Sequence, residues 1–288
     1  MQLLKDVNIK SFLKLVWTSE KAHSVWESVI NDCAQFVQEL EIDSVESGQR
    51  KCAWRTIDEE SLPGFTKQLN DKNLIVTPVR YVGKWEGFIH YTPPVEKGKP
   101  KNVYCIISKT LWDAKEYRRA FEAGDNIQQG LLLGFPQCCV EFFDKNWKAG
   151  YFDPIWQIGH EEIAGVNSDY GTIRIKKVHP YSNPVLRYIT IRIGFHIPCS
   201  FYCKETIKIA TERMKLAEKK NKELTEFLKA LLSMPMSWNC YNGIAIIRTP
   251  IFYIITSSMP TVNRHVIELE GKWKPKESAK GLCFPFRS

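Results

Sequence analysis

Two segments of the chain, 135–139 and 197–203, share the same order of residues: an apolar residue, then a proline, then two cysteines. Their cysteines are Cys138, Cys139, Cys199 and Cys203. Proline is favoured in the first turn of an α-helix, so this order predicts one helix that begins at Pro136 and another that opens with the second cysteine pair. Both pairs are then expected at helix N-termini, which restricts how the centre of the chain can fold.

A helix N-terminus is a favourable place for a cysteine thiolate. The free N–H groups and the helix dipole favour negative charge there and lower the pKa of a thiol. Thiolate is the form of cysteine that binds metals and attacks electrophiles. Two such helix ends that face each other would form a pocket for a metal. We therefore predict that the four cysteines bind one cofactor, either a 4Fe-4S cluster or zinc (Zn), with the cluster slightly favoured.

The spacing within each pair adds detail. Cys199 and Cys203 are four positions apart, which places both on one face of a helix and lets them share a metal. Cys138 and Cys139 are adjacent and thus about 100° apart around a helix axis, given ~3.6 residues per turn. Both can reach a multi-iron cluster, but it is harder for both to reach one small tetrahedral zinc ion. One of them can then stay free for chemistry while three ligands leave an open position.

Two other interpretations of the four cysteines stay open. Cys199 and Cys203 continue an apolar stripe at helical spacing, and buried cysteine behaves as a small hydrophobe, so the four can be two separate core pairs. They can also be a metal-free redox or nucleophilic dithiol. The other cysteines show no partner spacing and are expected to be structural: Cys33, Cys52, Cys105, Cys240 and Cys283.

Other polar residues near the cysteine segments are candidates for catalysis or binding. His196 lies three residues before Cys199 and is a candidate ligand, proton donor or packing residue. His160 and Glu161 lie in an expected loop and suit general acid–base catalysis or a charged surface turn. Arg187 and Arg192 belong to a basic group that is predicted to bind the phosphate or carboxylate of a cofactor or substrate.

The cysteine segments resemble those of a known family. Segment 133–143, LGFPQCCVEFF, resembles the Leu-Gly-Tyr-Pro-x-Cys-Cys-x-x-Phe signature of an uncharacterised prokaryotic family, a domain of unknown function. Segments 183–188 and 196–203 resemble the second signature of that family, and 243–250 resembles its C-terminal β part. The resemblance covers about residues 125–257. It implies the cysteine site and no particular reaction.

The composition is that of an average globular protein, with 288 residues, 44% hydrophobic and 25% charged. A chain of this length buries a core without disulfides, and its odd number of cysteines also favours reduced or metal-bound thiols. The net charge of +8 allows an anionic small molecule or a nucleic acid as partner. The N-terminus has no apolar signal region and no stretch is long enough to cross a membrane, so the sequence predicts a cytoplasmic protein.

The hydrophobic pattern predicts an α+β fold, that is, a mixed α/β protein in three parts. Residues 1–110 are expected to form a variable N-terminal region, 111–270 a core domain with the cysteine motifs, and 271–288 a C-terminal tail. In the first part, apolar residues at helical spacing predict a helix over 20–41, and 42–72 is expected to be irregular. Strands are predicted near 74–82, 85–91 and 103–108.

In the core domain, helices are predicted over 111–123, from Pro136, and from Cys199 to about residue 233, with Asn221 as a candidate break in the last one. The stretch 150–183 is expected to consist of loops with a short strand near 173–178. Three β-rich runs are predicted at 243–248, 251–257 and 264–269.

The leading hypothesis is a metal- or iron–sulfur-dependent enzyme that acts on an anionic substrate, such as a nucleoside, nucleotide or nucleic-acid base. The alternative is a non-enzymatic binding module with a structural zinc site, and a third hypothesis is a metal-free dithiol redox or sulfur-transfer protein. No Gly-x-Gly-x-x-Gly, P-loop, His-Glu-x-x-His or Gly-x-Ser-x-Gly motif is present to identify a reaction. The sequence leaves the oligomeric state open.

Overall fold

The computed structural model shows a mixed α+β fold, as the sequence predicts, with two sheets in the part of the chain that it describes. None of the described helices is long and apolar enough to cross a membrane. The predicted strand near 85–91 and Cys283 lie outside the described residues. Those residues are 14–84, 94–151, 154–162, 170–249, 251–257 and 264–271.

The N-terminal segment contributes a strand, β1 (Lys14–Trp17), and a long helix, α1 (Glu20–Glu46). Ser19 caps the helix, since its Oγ accepts a hydrogen bond from the backbone N–H of Ala22 at 3.0 Å. The sequence predicts an end at residue 41, but the helix continues because Glu41 is itself buried and paired with arginines. The carboxylate that interrupts the apolar stripe thus belongs to the buried face.

A small antiparallel sheet follows α1. Its strands are β2 (Cys52–Asp58), β3 (Ile75–Gly83) and β4 (Lys101–Ser108), with β4 in the middle. The two strands predicted near 74–82 and 103–108 are confirmed as β3 and β4. The prediction that 42–72 is irregular is wrong, because it contains β2 and a helix, α2 (Leu62–Asn70). Pro63 does not break that helix, since proline is tolerated in the first turn.

Four short helices follow the small sheet; two precede the first cysteine pair, the third contains it and the fourth comes after it. They are α3 (Leu111–Glu122), α4 (Asn126–Leu132), α5 (Gln137–Lys148) and α6 (Ile155–Glu162). The helices predicted at 111–123 and from Pro136 are confirmed as α3 and α5. The prediction of loops over 150–183 is wrong for α6, whose buried residues Trp156 and Ile158 pack in the main core.

The second cysteine pair precedes a helix rather than lying inside it. The chain turns through 199–203, and helix α7 (Lys204–Lys220) begins directly after Cys203, which is its N-cap. Helix α8 (Lys222–Leu232) follows. The prediction of a helix that starts at Cys199 is therefore wrong by one turn, because Cys199 lies in the turn before the helix.

The larger sheet contains six strands, five of them from the C-terminal half. These are β5 (Tyr170–Ile175), β6 (Met236–Asn239), β7 (Ile244–Arg248), β8 (Phe252–Ser257) and β9 (Arg264–Leu269). The order is β1-β8-β7-β6-β9-β5, with β5 and β9 parallel and the other pairs antiparallel. The three predicted β-rich runs are confirmed. Because β1 pairs with β8 and α1 packs in the same core as α7 and α8, the N-terminal segment completes the core around the cysteine segments.

Candidate metal centre

The four cysteines of the two segments converge. Their Sγ atoms all lie within 4.8 Å of one another. The Sγ–Sγ distances are 3.9 Å from Cys138 to Cys139, 3.8 Å from Cys138 to Cys203 and 3.6 Å from Cys139 to Cys203. Within the described ranges, no other three His, Cys, Asp or Glu side chains bring their ligand atoms together in this way. The prediction that the four cysteines form one site that can hold a metal is confirmed.

The two cysteine pairs reach the site from different local structures. Cys138 and Cys139 lie in the first turn of α5, as predicted, with Pro136 as its N-cap. Cys203 lies at the start of α7, but Cys199 lies in the preceding turn, so the two do not share a helix face. The chain reversal at 199–203, and not helical spacing, brings Cys199 to the site.

The adjacent pair also behaves differently from the prediction. The sequence predicts that it is harder for both Cys138 and Cys139 to reach one small ion, yet both of their Sγ atoms lie within 3.8 Å of the Sγ of Cys203. The pair differs in exposure instead: Cys139 is buried with Cys203, Cys199 is half-buried, and Cys138 lies at the surface. The site therefore has one face toward solvent, and Cys138 forms that face.

Four thiols this close cannot all lose their protons without a cation. Hydrogen bonds from Cys139 and Cys199 hold the pKa of Cys203 well below its usual range, although burial opposes this. Hydrogen bonds with Cys199 and Cys203, together with burial, raise the pKa of Cys139. A hydrogen bond from Cys139 favours the Cys199 thiolate, but contact with Cys203 and burial outweigh it and raise the pKa of Cys199 to about 12. A divalent cation removes this conflict, because it stabilises every thiolate that binds it.

A buried polar chain extends from the sulfur atoms into the core. The hydroxyl oxygen of Thr206 lies 3.3 Å from the Sγ of Cys139 and 2.9 Å from the Nε2 of His196. Burial, together with the nearby Arg213, lowers the pKa of His196 to about 3, so the ring is neutral. Its Nδ1–H donates to the carbonyl oxygen of Gly194 at 2.6 Å, which leaves Nε2 to accept from the hydroxyl of Thr206.

His196 is therefore placed behind Thr206 and not among the sulfur atoms. In this position His196 is not a metal ligand but holds Thr206, the residue that contacts Cys139. Sequence reasoning missed Thr206, although a signal was available: it follows Cys203 by three residues on α7 and so lies one turn further along the helix, near the same face.

The predicted acid–base residues lie on α6 and not on a loop. Glu161 is exposed and its carboxylate lies 3.4 Å from Nζ of Lys145, while His160 is half-buried in the last turn of the helix. The neighbouring Glu162 makes the contact with the cysteine segments, because it accepts a hydrogen bond from the Ser200 hydroxyl at 2.7 Å. The catalytic role of His160 and Glu161 stays a prediction.

Comparisons of this chain with known protein families, with curated proteins and with solved structures find no match. The resemblance of segments 133–143 and 196–203 to a domain of unknown function therefore stays a prediction. The site is defined by the geometry of its four cysteines.

The two arginines predicted to bind an anion lie close together. Arg187 is half-buried on a short 3-10 helix (Val185–Ile189), and Arg192 follows that helix. The guanidinium of Arg192 lies 3.9 Å from the carboxylate of Glu41. Burial lowers the pKa of Arg192 to about 10. The carboxylate of Glu41 opposes this decrease, and neighbouring arginines, including Arg187, contribute to it.

Proposed function

We propose that this protein is a metal-dependent enzyme whose centre is a single tetrahedral ion, zinc, bound by Cys138, Cys139, Cys199 and Cys203. The sulfur spacing carries the proposal. Zinc–sulfur bonds of about 2.3 Å at tetrahedral angles place the sulfur atoms about 3.8 Å apart. The three distances among the Sγ atoms of Cys138, Cys139 and Cys203 are 3.6, 3.8 and 3.9 Å and agree with that value. The Sγ of Cys199 lies within 4.8 Å of the other three, so a small movement brings it to the same ion.

The same spacing argues against the iron–sulfur cluster that the sequence slightly favours. In a 4Fe-4S cluster each cysteine binds a different iron atom, and the body of the cluster separates the four thiolates. Sulfur atoms that already touch one another leave no room for it. Both cysteine segments would have to move apart, whereas a single ion fits between the sulfur atoms as they lie.

An enzymatic role is supported by the exposure of one ligand. Bound zinc keeps its thiolates ionised and therefore nucleophilic. Cys138 is the most exposed of the four cysteines, Cys199 is half-buried and the other two are buried, so Cys138 is the thiolate that a substrate reaches most easily. An anionic substrate, with a nucleoside, nucleotide or nucleic-acid base as the candidates, is supported by the net charge of +8 and by Arg187 and Arg192.

A structural zinc site in a non-enzymatic binding module is the second candidate. Four cysteine ligands complete a tetrahedral shell, which is typical of structural zinc, whereas catalytic zinc keeps a position for water or substrate. The ion would then join the start of α5 to the start of α7 and stabilise the fold. The exposure of Cys138 favours the enzyme, and the complete sulfur shell favours the structural site.

Metal analysis tests the centre itself. We expect one zinc per chain and no acid-labile sulfide in colourless protein purified without oxygen, and we expect Cys199→Ala to lose the zinc. Cys105→Ala is the matched control, because Cys105 is buried in β4 and does not belong to the four-cysteine group. Iron and sulfide near four each would mean a cluster. Neither metal nor sulfide would mean a metal-free dithiol and would refute the proposal.

Alkylation separates the enzyme from the structural site. In zinc-loaded protein treated with iodoacetamide, we expect Cys138 to be modified first, with the other three ligands protected. Mass spectrometry of the peptides gives the order of modification. A structural site predicts that all four cysteines stay protected until a chelator removes the zinc.

A further inference from the structure

A group of buried and half-buried arginines lies near His196, which shares the carbonyl oxygen of Gly194 with one of them, Arg213. Arg50 is 4% exposed and Arg213 is 1% exposed, while the side chain of Arg192 is 21% exposed. The three residues come from distant parts of the chain: the loop after α1, the loop after the short 3-10 helix, and α7. We call them the arginine cluster.

The arginine cluster carries more positive charge than its surroundings neutralise. The carboxylate of Glu41 lies 3.1 Å from Arg50, 2.6 Å from Arg55 and 3.9 Å from Arg192. Arg213 has no ion pair in the described part of the chain. Three guanidinium groups thus share the Glu41 carboxylate and Arg213 is a fourth, so that four positive charges face one negative charge among the described residues, a surplus of three. Burying charge without a partner is costly, so the surplus indicates a missing anion.

The guanidinium groups also have donors for which the described residues offer no acceptor. The structure shows buried nitrogen atoms without a hydrogen-bond partner in the described part of the chain: Nη2 of Arg50, Nε of Arg192, and Nε and Nη2 of Arg213. Arg213 uses Nη1 on the carbonyl oxygens of Ile193, at 3.3 Å, and Gly194. Each buried donor without an acceptor destabilises the fold, and an oxyanion with several oxygen atoms can accept from more than one such donor at once.

Aromatic rings hold two of these guanidinium groups in place. The ring of Phe195 lies 4.5 Å from the guanidinium of Arg213 and 5.8 Å from that of Arg50, and Phe135 lies 5.6 Å from Arg50. Cation–π contacts of this kind fix the planar groups before any ligand arrives. Phe195 has φ +61°, a left-handed conformation that is strained for a bulky residue. Such strain is typical of functional sites.

We propose that Arg50, Arg192 and Arg213 form a binding site for a phosphate group. A phosphate dianion offsets more of the surplus charge than a carboxylate does, and its oxygens match the paired donors of guanidinium groups. Arg192, the most exposed member, marks the approach from solvent.

A chain of hydrogen bonds connects the arginine cluster to the cysteines. The carbonyl oxygen of Gly194 accepts from both Arg213 and His196, and His196 bonds to Thr206, which contacts Cys139. The use of the arginine cluster as an anchor for a phosphorylated substrate rests on the proposed function. Phosphate binding itself does not, because none of the three arginines is a metal ligand.

Calorimetry and thermal melting of the zinc-loaded protein test the site, with inorganic phosphate and AMP as probes and potassium chloride at equal ionic strength as the reference. We expect saturable binding of phosphate and a rise in Tm that chloride does not produce. Arg192→Gln should weaken binding about tenfold or more, since it removes charge-assisted hydrogen bonds. Arg174→Gln is the matched control, because Arg174 is an exposed arginine paired with Glu268 on the larger sheet.

The variants also carry an internal check. Without phosphate, the Tm of Arg192→Gln should equal or exceed that of the wild type, because the substitution removes surplus positive charge. With saturating phosphate, the Tm of Arg192→Gln should be lower than that of the wild type. Tighter binding of AMP than of phosphate identifies a nucleotide as the ligand, and equal binding identifies free phosphate. Phosphate shifts that match chloride, or that are equal in wild type and Arg192→Gln, would overturn the proposal. Zinc content is measured on the same samples, so loss of the metal centre is seen separately.

Discussion

Glu41 is the residue whose replacement gives the sharpest test of the buried charges. It lies on α1 with 3% of its surface exposed and is the carboxylate that Arg50 and Arg55 share. Glu41→Gln keeps the shape of the side chain and removes its charge. The arginines around it would then have no negative partner in the described part of the chain.

The size of the effect follows from the pKa of this carboxyl group. Burial opposes ionisation of Glu41, but Arg55, Arg50 and Arg192 outweigh it and lower the pKa from 4.5 to about 2. A shift of that size corresponds to about 3 kcal/mol of stability at neutral pH, at ~1.4 kcal/mol per pKa unit. Removal of one partner from a buried ion pair costs a similar ~3–5 kcal/mol. We expect Glu41→Gln to lower the free energy of unfolding by about 3 kcal/mol at pH 7.

The pH dependence gives the second half of the test. Because the folded pKa lies below the unfolded value, the contribution of Glu41 is complete above pH 4.5 and is lost as the pH falls toward about 2. Urea unfolding of wild type and Glu41→Gln at several pH values measures the difference between them, which should shrink across that window. Acid also protonates the cysteines, but this affects both proteins and cancels in the difference.

Glu39→Gln is the matched control on the same helix. Its carboxylate lies 2.9 Å from Nζ of Lys220, with 45% of the side chain exposed, so its loss should cost well under 1 kcal/mol. If Glu41→Gln were as stable as Glu39→Gln at pH 7, or if the difference from wild type were the same at pH 3 and pH 7, the account of Glu41 would be refuted.

Two further replacements test the surroundings of the cysteines. Thr206→Val should weaken zinc binding about 10–100-fold in a chelator competition, because hydrogen bonds to a metal ligand orient it. Thr211→Val on the same helix is the control and should leave the affinity unchanged. Equal affinities of the two variants would show that Thr206 does not act on the site. Gly159→Ala should lower the free energy of unfolding by about 1–3 kcal/mol, because a Cβ there would lie 2.7 Å from the Trp238 ring. Gly64→Ala, a helical glycine with open space around it, should be neutral or stabilising, and equal effects at both glycines would contradict this packing argument.

The cysteine site could be predicted because its signal is local. Proline before a cysteine pair places the pair at a helix start, and this holds for Cys138, Cys139 and Cys203. The error at Cys199 has a physical cause: a proline at a helix start, such as Pro136, and a proline that leads into a turn, such as Pro198, cannot be told apart by residue type alone. The strands β3, β4, β7, β8 and β9 were predictable for a similar reason, since their apolar runs are dense.

The elements that the sequence did not reveal carry weaker local patterns. β2 mixes buried residues with Arg55 and Asp58, and α6 is a helix of only 8 residues with few polar positions before His160. Short elements of this kind are stabilised by the layers that cover them rather than by their own periodicity. The prediction of loops over 150–183 is wrong at 155–162 for this reason: α6 has no clear helical pattern of its own.

The arginine cluster shows where local reasoning ends. Arg192 could be named from its place near the second cysteine segment, but Arg50 and Arg213 carry no spacing that relates them to it or to each other. An arginine in sequence is expected at the surface, because burial of its charge is costly. Arg50 is buried because α1 carries Glu41 into the core, and Arg213 is buried because α7 passes behind Gly194. Tertiary structure therefore decides which charges are buried, and a surplus of buried charge is a functional signal that only the folded chain displays.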